Sequence, residues 1–354
     1  LAGLNPKTWQ GKSVFLTGHT GFKGTWLAQV LQGFEAQIHG YALAPDTKPS
    51  HFESLKWGSM TSEIADIRDH ARLTAAMKKA APEVVFHLAA QPLVLKSYED
   101  PRFTYETNVM GTLNLFEAIR ATPSVRAVVI VTSDKCYENK ETTRPYKEDD
   151  AMGGYDPYSS SKGCAEILTA SYRRSYFSTE DFGKKHNVLV ASVRAGNVIG
   201  GGDWSENRLI PDFARAFRDG KKVTIRSPEA VRPWQHVLEP IAGYMLLAEK
   251  LMSGEKEFAK AFNFGPSPEG CWTVRQILEQ AKKIWPEFDY TIEDAGRHEA
   301  KLLMLDSSMA HRELDWHPKM DVEQALKWTM EWYKDFIREG KVDTSVQIAQ
   351  YLKL

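Results

Sequence analysis

The stretch that most restricts what this chain can become is SVFLTGHTGFKG, residues 13–24. Residues 13–18 read as a short buried strand, and a helical pattern runs from about Thr25 to Gly33. Gly18, Gly21 and Gly24 stand between them at a spacing of three. In a strand–turn–helix of this kind the first glycine permits the tight turn. The second lets the backbone approach a pyrophosphate, and the third lets helix and strand pack closely. His19, Phe22 and Lys23 fill the rest of the turn. Lys23 either adds charge near a phosphate or is a solvated helix-start residue.

The alternation that follows extends the same plan. Strands are expected at about 37–42, 84–90, 127–132 and 188–195, with helices at 70–81, 102–120 and 157–178. Up to residue 195 this makes six strand–helix rounds, enough for one doubly wound parallel sheet of α/β class. Beyond 195 the pattern is mixed: helix 208–219, strand 222–225, helix 236–251, strand 260–264, helix 273–284 and helix 321–338. The expectation is a dinucleotide-binding domain over 1–195, with some later segments returning to it. Residues 196–354 then form mainly a smaller mixed α/β substrate lobe.

Several residues fall where ligands of such sheets bind, at the carboxyl ends of strands. After the second strand, no Arg lies near Asp46 to receive a 2′-phosphate, which favours NAD over NADP. Asp66, beside Ile67, either accepts a hydrogen bond from an adenine amino group or caps a helix, as Asp69 does. Leu88, Ala89 and Ala90 are small enough to let a cofactor lie over their strand, and Gln91 after them is a candidate substrate contact. His87 reads as a packed core histidine. Asn108 sits among apolar residues at helical spacing, so it is expected to be buried, to bond backbone and to steady the site. Ser133, Asp134 and Lys135 end the strand 127–132.

Tyr158 and Lys162 are four residues apart, which puts both on one helix face. An ammonium near a phenol favours the phenolate, so the Tyr158 pKa is expected to fall. Such a base can take a proton from a hydroxyl while a hydride leaves the same carbon.

Bulk properties exclude other classes. The chain has 354 residues, a net charge of -1 and a pI near 6.9, so no global field draws it to nucleic acid or a membrane surface. No apolar run approaches the ~20 residues of a membrane span, and the first ten residues lack the pattern of a signal peptide. Cys136, Cys164 and Cys271 are too few and scattered for a disulfide framework, which suits the cytoplasm. No metal site is expected.

With TGHTGFKG, ADIRD, HLAAQ, SDK and YSSSK in this order, the chain resembles the extended short-chain dehydrogenase/reductase superfamily over nearly its whole length. Within it the chain is similar to the nucleotide-sugar 4,6-dehydratases. SDKCYEN, RAGNVIGGGDW, VRPWQHV and the tail from Gly296 resemble the branch acting on CDP-glucose. Dehydratases of the dTDP type carry Thr-Asp-Glu where this chain has Ser133-Asp134-Lys135. The resemblance implies bound NAD, a homodimer or homotetramer, and CDP-glucose as the partner molecule, in deoxysugar biosynthesis such as that of O-antigen. It implies that Tyr158 takes the O4 proton, Ser133 holds O4, Lys162 binds ribose, and protonated Asp134 delivers a proton to the leaving C6 hydroxyl. Lys135 is either the C5 base or a charge that stabilises the enolate. Asn197 is implied near the sugar diphosphate, Arg232 and Arg297 near phosphates, Asn207 and Arg208 near sugar or base, and His298 among the substrate-binding residues. Arg194 and Arg226 are further loop arginines, and Trp204 and Trp234 either line the pocket or are core. A 4-epimerase shares the Tyr and Lys but needs no acid–base pair for elimination. A non-catalytic NAD sensor needs neither.

Overall fold

The computed structural model describes residues 4–225, 227–287, 289–292 and 303–354. Seven parallel strands form the central sheet. They are β1 (Ser13–Thr17), β2 (Gln37–Ala42), β3 (Thr61–Ile64), β4 (Val84–His87), β5 (Ala127–Val131), β6 (Leu189–Ala195) and a late strand, Ala261–Phe264. The order is Ala261–Phe264, β6, β5, β4, β1, β2, β3. From β1 the chain moves outward through β2 and β3, then returns to the other side of β1 with β4. That reversal opens a crevice above the ends of β1 and β4, where Thr17 pairs with both Tyr41 and His87.

Strand alternation divides the core between the two faces. Val14 and Leu16 join Phe86, Val129 and Val193 on the face covered by the helices Phe22–Gly33 and Leu238–Met252. Phe15 joins Val85, Val128 and Val190 on the face covered by His70–Ala80 and Gly111–Arg120. Both faces are buried, as a parallel sheet requires. The doubly wound α/β architecture expected from the alternation is therefore the one observed. Strand 260–264, read from sequence with the later mixed region, is hydrogen-bonded to β6 as the sheet's edge.

The helix expected at 102–120 runs as Pro101–Tyr105, a π-helical turn at Glu106–Met110, and Gly111–Arg120. The widened turn carries Asn108. The helix Pro157–Ser175 starts on Asp156, whose carboxylate accepts from Ser159 N–H and its hydroxyl. Proline at its first turn fits the same start. Short helices at Val94–Glu99, Ser308–Leu314 and Thr344–Tyr351 lie outside the sequence expectation, being too brief to show a clear period.

After β6, the helices Leu209–Arg218, Val274–Ile284 and Val322–Glu339 share a separate hydrophobic cluster with short strand pairs. Trp204 and Trp234 belong to that cluster, so both are core rather than pocket lining. Among the described residues no helix is long and apolar enough to cross a membrane.

Candidate active site

The glycine turn meets the end of β4 at close quarters. Gly18 has φ +76°, and a Cβ there would stand 2.6 Å from Ala89 N. A Cβ on Gly24 would overlap the Gly18 carbonyl at 2.0 Å. Only glycine allows this nesting. The helix Phe22–Gly33 begins at Gly21 with no side-chain cap, which leaves its first N–H groups open. Half-buried Leu88, Ala89 and Ala90 form the opposite wall. Phe22 borders Gly200, where a Cβ would come within 3.2 Å of the Phe22 ring.

Two residues expected at this cofactor site have side chains spent elsewhere. The His19 ring is fully buried, edge-on to Phe52, with Nε2 2.7 Å from Ser62 Oγ. Burial lowers its pKa to about 4, so it brings no positive charge to a phosphate. Ile67 is buried against Gly111, so its contribution at the strand end is limited to backbone. Asp66 is engaged by Arg68, accepting from its N–H and pairing with its guanidinium at 2.7 Å. Asp69, as expected, caps the following helix.

Asn108 is the brace between the β4 loop and the helix Pro157–Ser175. Its Oδ1 accepts from Gln91 N–H at 2.8 Å, and its Nδ2 donates to Gln91 O and to Ser161 Oγ. Gln91 itself does not reach outward. Its amide is used on Leu93 backbone and Thr104 Oγ1, which shapes the loop. His87 bridges Thr17 and Thr112 in the core, as read from sequence.

The catalytic candidates converge above β5. Ser133, Asp134, Tyr158 and Lys162 are each less than a tenth exposed, and Lys135 is half-buried. Ser133 Oγ donates to Asp134 Oδ1 at 3.0 Å, and the Ser133 hydroxyl acts to lower the Tyr158 phenol. Gly163 permits this approach: a Cβ there would come within 3.2 Å of Cys136 O and 2.6 Å of Gly153 O. The loop after β6 closes the other side, with Gly196 so placed that a Cβ would be 3.0 Å from Asp134 Oδ2. Asn197 is half-buried in that loop. Pro233, beside Arg232, borders the same glycine. Arg208 precedes the helix Leu209–Arg218, pairs with buried Asp203 at 2.9 Å, and lies within electrostatic reach of Tyr158. Asn207 is exposed, in a left-handed conformation with φ 60°. Arg226, Arg297 and His298 lie outside the described residues.

The protonation states depart from the sequence expectation at one point. Burial pushes Tyr158 up to about 12, against the opposing effects of the Ser133 hydrogen bond and Arg208. Burial also lowers Lys162 to about 8, and its Nζ donates to Val131 O at 3.3 Å. Loss of solvation thus outweighs the helical Tyr–Lys spacing in the ligand-free pocket. Burial raises the Asp134 carboxyl as well, opposed by Lys135, the Ser133 hydroxyl and Lys23. Lys23 is not on a solvated face. Burial, with Arg208 and Lys162, brings it down to about 8, while Asp134 and Asp203 hold it up. The involvement of Asp203 and Gly196 was not read from sequence, although both lie in the RAGNVIGGGDW run.

The comparisons agree with this geometry. The chain is 47% identical to the CDP-glucose 4,6-dehydratase of Salmonella typhimurium, across 95% of this chain and 94% of that one. It is 26% identical to a UDP-glucose 4-epimerase of Rhizobium leguminosarum, across 91% and 98%. The fold superposes on the dTDP-glucose 4,6-dehydratase of Bacillus anthracis, solved with NAD, at TM-score 0.77 and 23% identity, covering 95% and 100% of the two chains. The sequence pattern of the GDP-mannose 4,6 dehydratase family matches residues 15–329. On that match and the 47% relative, the chain belongs to this family of nucleotide-sugar dehydratases.

Proposed function

We propose that this chain is an NAD-dependent lyase that converts CDP-D-glucose to CDP-4-keto-6-deoxy-D-glucose and water. The residues present suit NAD. The Gly18–Gly24 turn nests against the β4 end because Gly18 and Gly24 carry no Cβ, and it feeds an uncapped helix start suited to a pyrophosphate. Leu88–Ala90 leave the strand end open beside it. When bound, NAD supplies the hydride acceptor for C4 and the hydride donor for C6, and its oxidised ring adds positive charge near Tyr158.

The side chains then handle protons. Tyr158 takes the O4 proton while Ser133 holds the same oxygen. The C4 ketone acidifies the C5 proton, which leaves and opens the way for loss of the C6 hydroxyl. Asp134 is raised by burial, so it holds the proton that departs with that hydroxyl as water. Lys135 either removes the C5 proton or stabilises the enolate by charge. Reprotonation at C5 completes the sequence, and the net change is loss of one water. Lys162 orients ribose hydroxyls beside Tyr158. Asn197, Arg208 and Arg232 engage the sugar diphosphate, with Asn207 at its edge. Residues 1–195, with Ala261–Phe264 and Leu238–Met252, hold the cofactor, and the later lobe mainly holds the nucleotide sugar.

The observation that carries the reading is a buried carboxyl, Asp134, hydrogen-bonded at 3.0 Å to Ser133 and gathered with buried Tyr158 and Lys162 at one strand end, its pKa raised by burial. A 4-epimerase uses the same Tyr and Lys and has no task for that acid. The test incubates the protein with NAD and CDP-, dTDP-, UDP- and GDP-hexoses. A 4-keto-6-deoxy product from CDP-glucose, absorbing in alkali with no net NADH, is expected; a C4 epimer as sole product would overturn the reading. Lys135→Ala is expected to retain C4 oxidation and lose C5 proton exchange with solvent. Normal exchange in that variant removes Lys135 from the chemistry.

Homodimer or homotetramer formation in the cytoplasm completes the proposal. Exposed Leu95, Tyr98, Tyr105 and Met110 lie on helices next to the helix of exposed Ile167, and such apolar groups suit contact with a second copy. The three cysteines are free thiols, in keeping with a reducing compartment.

A further inference from the structure

A cavity of about 590 Å3 opens between the helix Pro157–Ser175, the 147–152 loop and the helix Ser308–Leu314. None of Ser133, Asp134, Tyr158, Lys162 or Arg208 lines it, so it is separate from the catalytic cleft. Its wall carries six cations: Lys147, Arg173, Arg174, Arg194, Lys260 and Arg312. The carboxylates around it are mostly committed. Glu166 is bonded by Arg194, and Asp150 by Arg144. Glu148 accepts from Asn263 N–H. Lys260 pairs outside the lining with Glu313. Arg173, Arg174 and Arg312 make no ion pair with a carboxylate among the described residues.

Behind this wall, Arg173 Nη1 and Arg194 Nε are shielded from solvent and have no hydrogen-bond partner among the described residues, and Arg194 as a whole is 4% exposed. Guanidinium groups match the oxygens of a phosphoryl group, which offers several acceptors at once. The cavity falls within the roughly 300–1,000 Å3 of small-molecule sites, and Met152, Ala170 and Met309 leave an apolar wall for the remainder of a ligand.

We propose that this cavity is a second ligand site that binds a phosphate-bearing small molecule through Arg173, Arg174 and Arg312. The cavity abuts the active centre without sharing its ligands: Glu166, on its floor, also accepts from Thr132, the residue before Ser133.

Inorganic pyrophosphate titrated by calorimetry into the NAD-loaded protein tests the proposal. The wild type is expected to bind it at this site. Arg174→Ala with Arg312→Ala is expected to weaken that binding by about tenfold or more. Both residues are exposed, so the fold and the turnover of the nucleotide sugar should be retained. Arg173→Met is expected to abolish the binding. Absence of binding in the wild type overturns the proposal. So does binding that survives the Arg174/Arg312 change but is lost in Arg208→Ala, which assigns the anion to the catalytic cleft.

Discussion

Two buried polar clusters flank the helix Pro157–Ser175, and they solve the same problem in opposite ways. In the Glu166–Arg194 cluster, burial acts against both charges, yet the pair at 2.8 Å outweighs it. Glu166 is held below the usual carboxylate range with help from Thr132 and Ser192, and Arg194 is raised. In the Asp134–Tyr158–Lys162–Lys23 cluster, burial wins. The acid and the phenol move up and both lysines move down, toward their neutral forms. The lesson is that burial alone does not mark a reaction centre. Buried groups left with incomplete pairing, and therefore ready to exchange protons, do.

The sharpest way to break the contrast is Tyr158→Phe. Its loss is expected to lower turnover by about a hundred- to ten-thousand-fold. Unfolding stability should shift by no more than about 1 kcal/mol, because only one hydroxyl is removed. Steady-state kinetics alongside urea denaturation separate the two effects. A stability loss as large as that of the next variant would place Tyr158 in the structural class.

Arg194→Met attacks the paired cluster. It strands the Glu166 carboxylate in the core and is expected to cost about 3–5 kcal/mol in denaturant unfolding. The double change Arg194→Met/Glu166→Gln removes both charges and should recover much of that loss. If the double variant is as unstable as the single, the pairing account fails.

Glu239 sharpens the comparison from between the two extremes. It is fully buried and accepts from Tyr351 OH and the N–H groups of Lys319 and Met320, and the Lys319 charge also acts to lower it. Burial outweighs them and pushes the carboxyl from 4.5 up to about 7. The folded state therefore holds this proton more tightly than the unfolded state. Its contribution to stability is full below about pH 4.5 and is lost as pH rises toward about 7, a swing of about 3 kcal/mol. Thermal melts of Glu239→Gln against wild type at about pH 5 and pH 8 measure it. The variant should gain relative stability at the higher pH, and a pH-independent difference would sink the assignment.

Much of the scaffold was readable before any coordinates. The glycine turn, the strand–helix alternation and the Ser133–Lys135 run at a strand end follow from short-range rules: tight turns need glycine, and period sets faces. The cap at Asp69 and the burial of Asn108 and His87 were legible for the same reason. What sequence left unread depended on distant neighbours. Gln91 satisfies its amide within its own loop, and His19 turns into the gap over Gly40.

The order of the chain thus determined that a parallel sheet with a phosphate-ready turn would form, and that Tyr158 and Lys162 would share a helix face. The tertiary structure decided what those groups are chemically. Lys23, from the first turn, stands near Asp134 and Arg208 only because three separate loops close over β5. Tyr158 is raised rather than lowered because solvent is withdrawn from both members of the pair. Spacing along a chain fixes direction at a few ångströms, whereas the state of a charge depends on the whole volume from which water has been excluded.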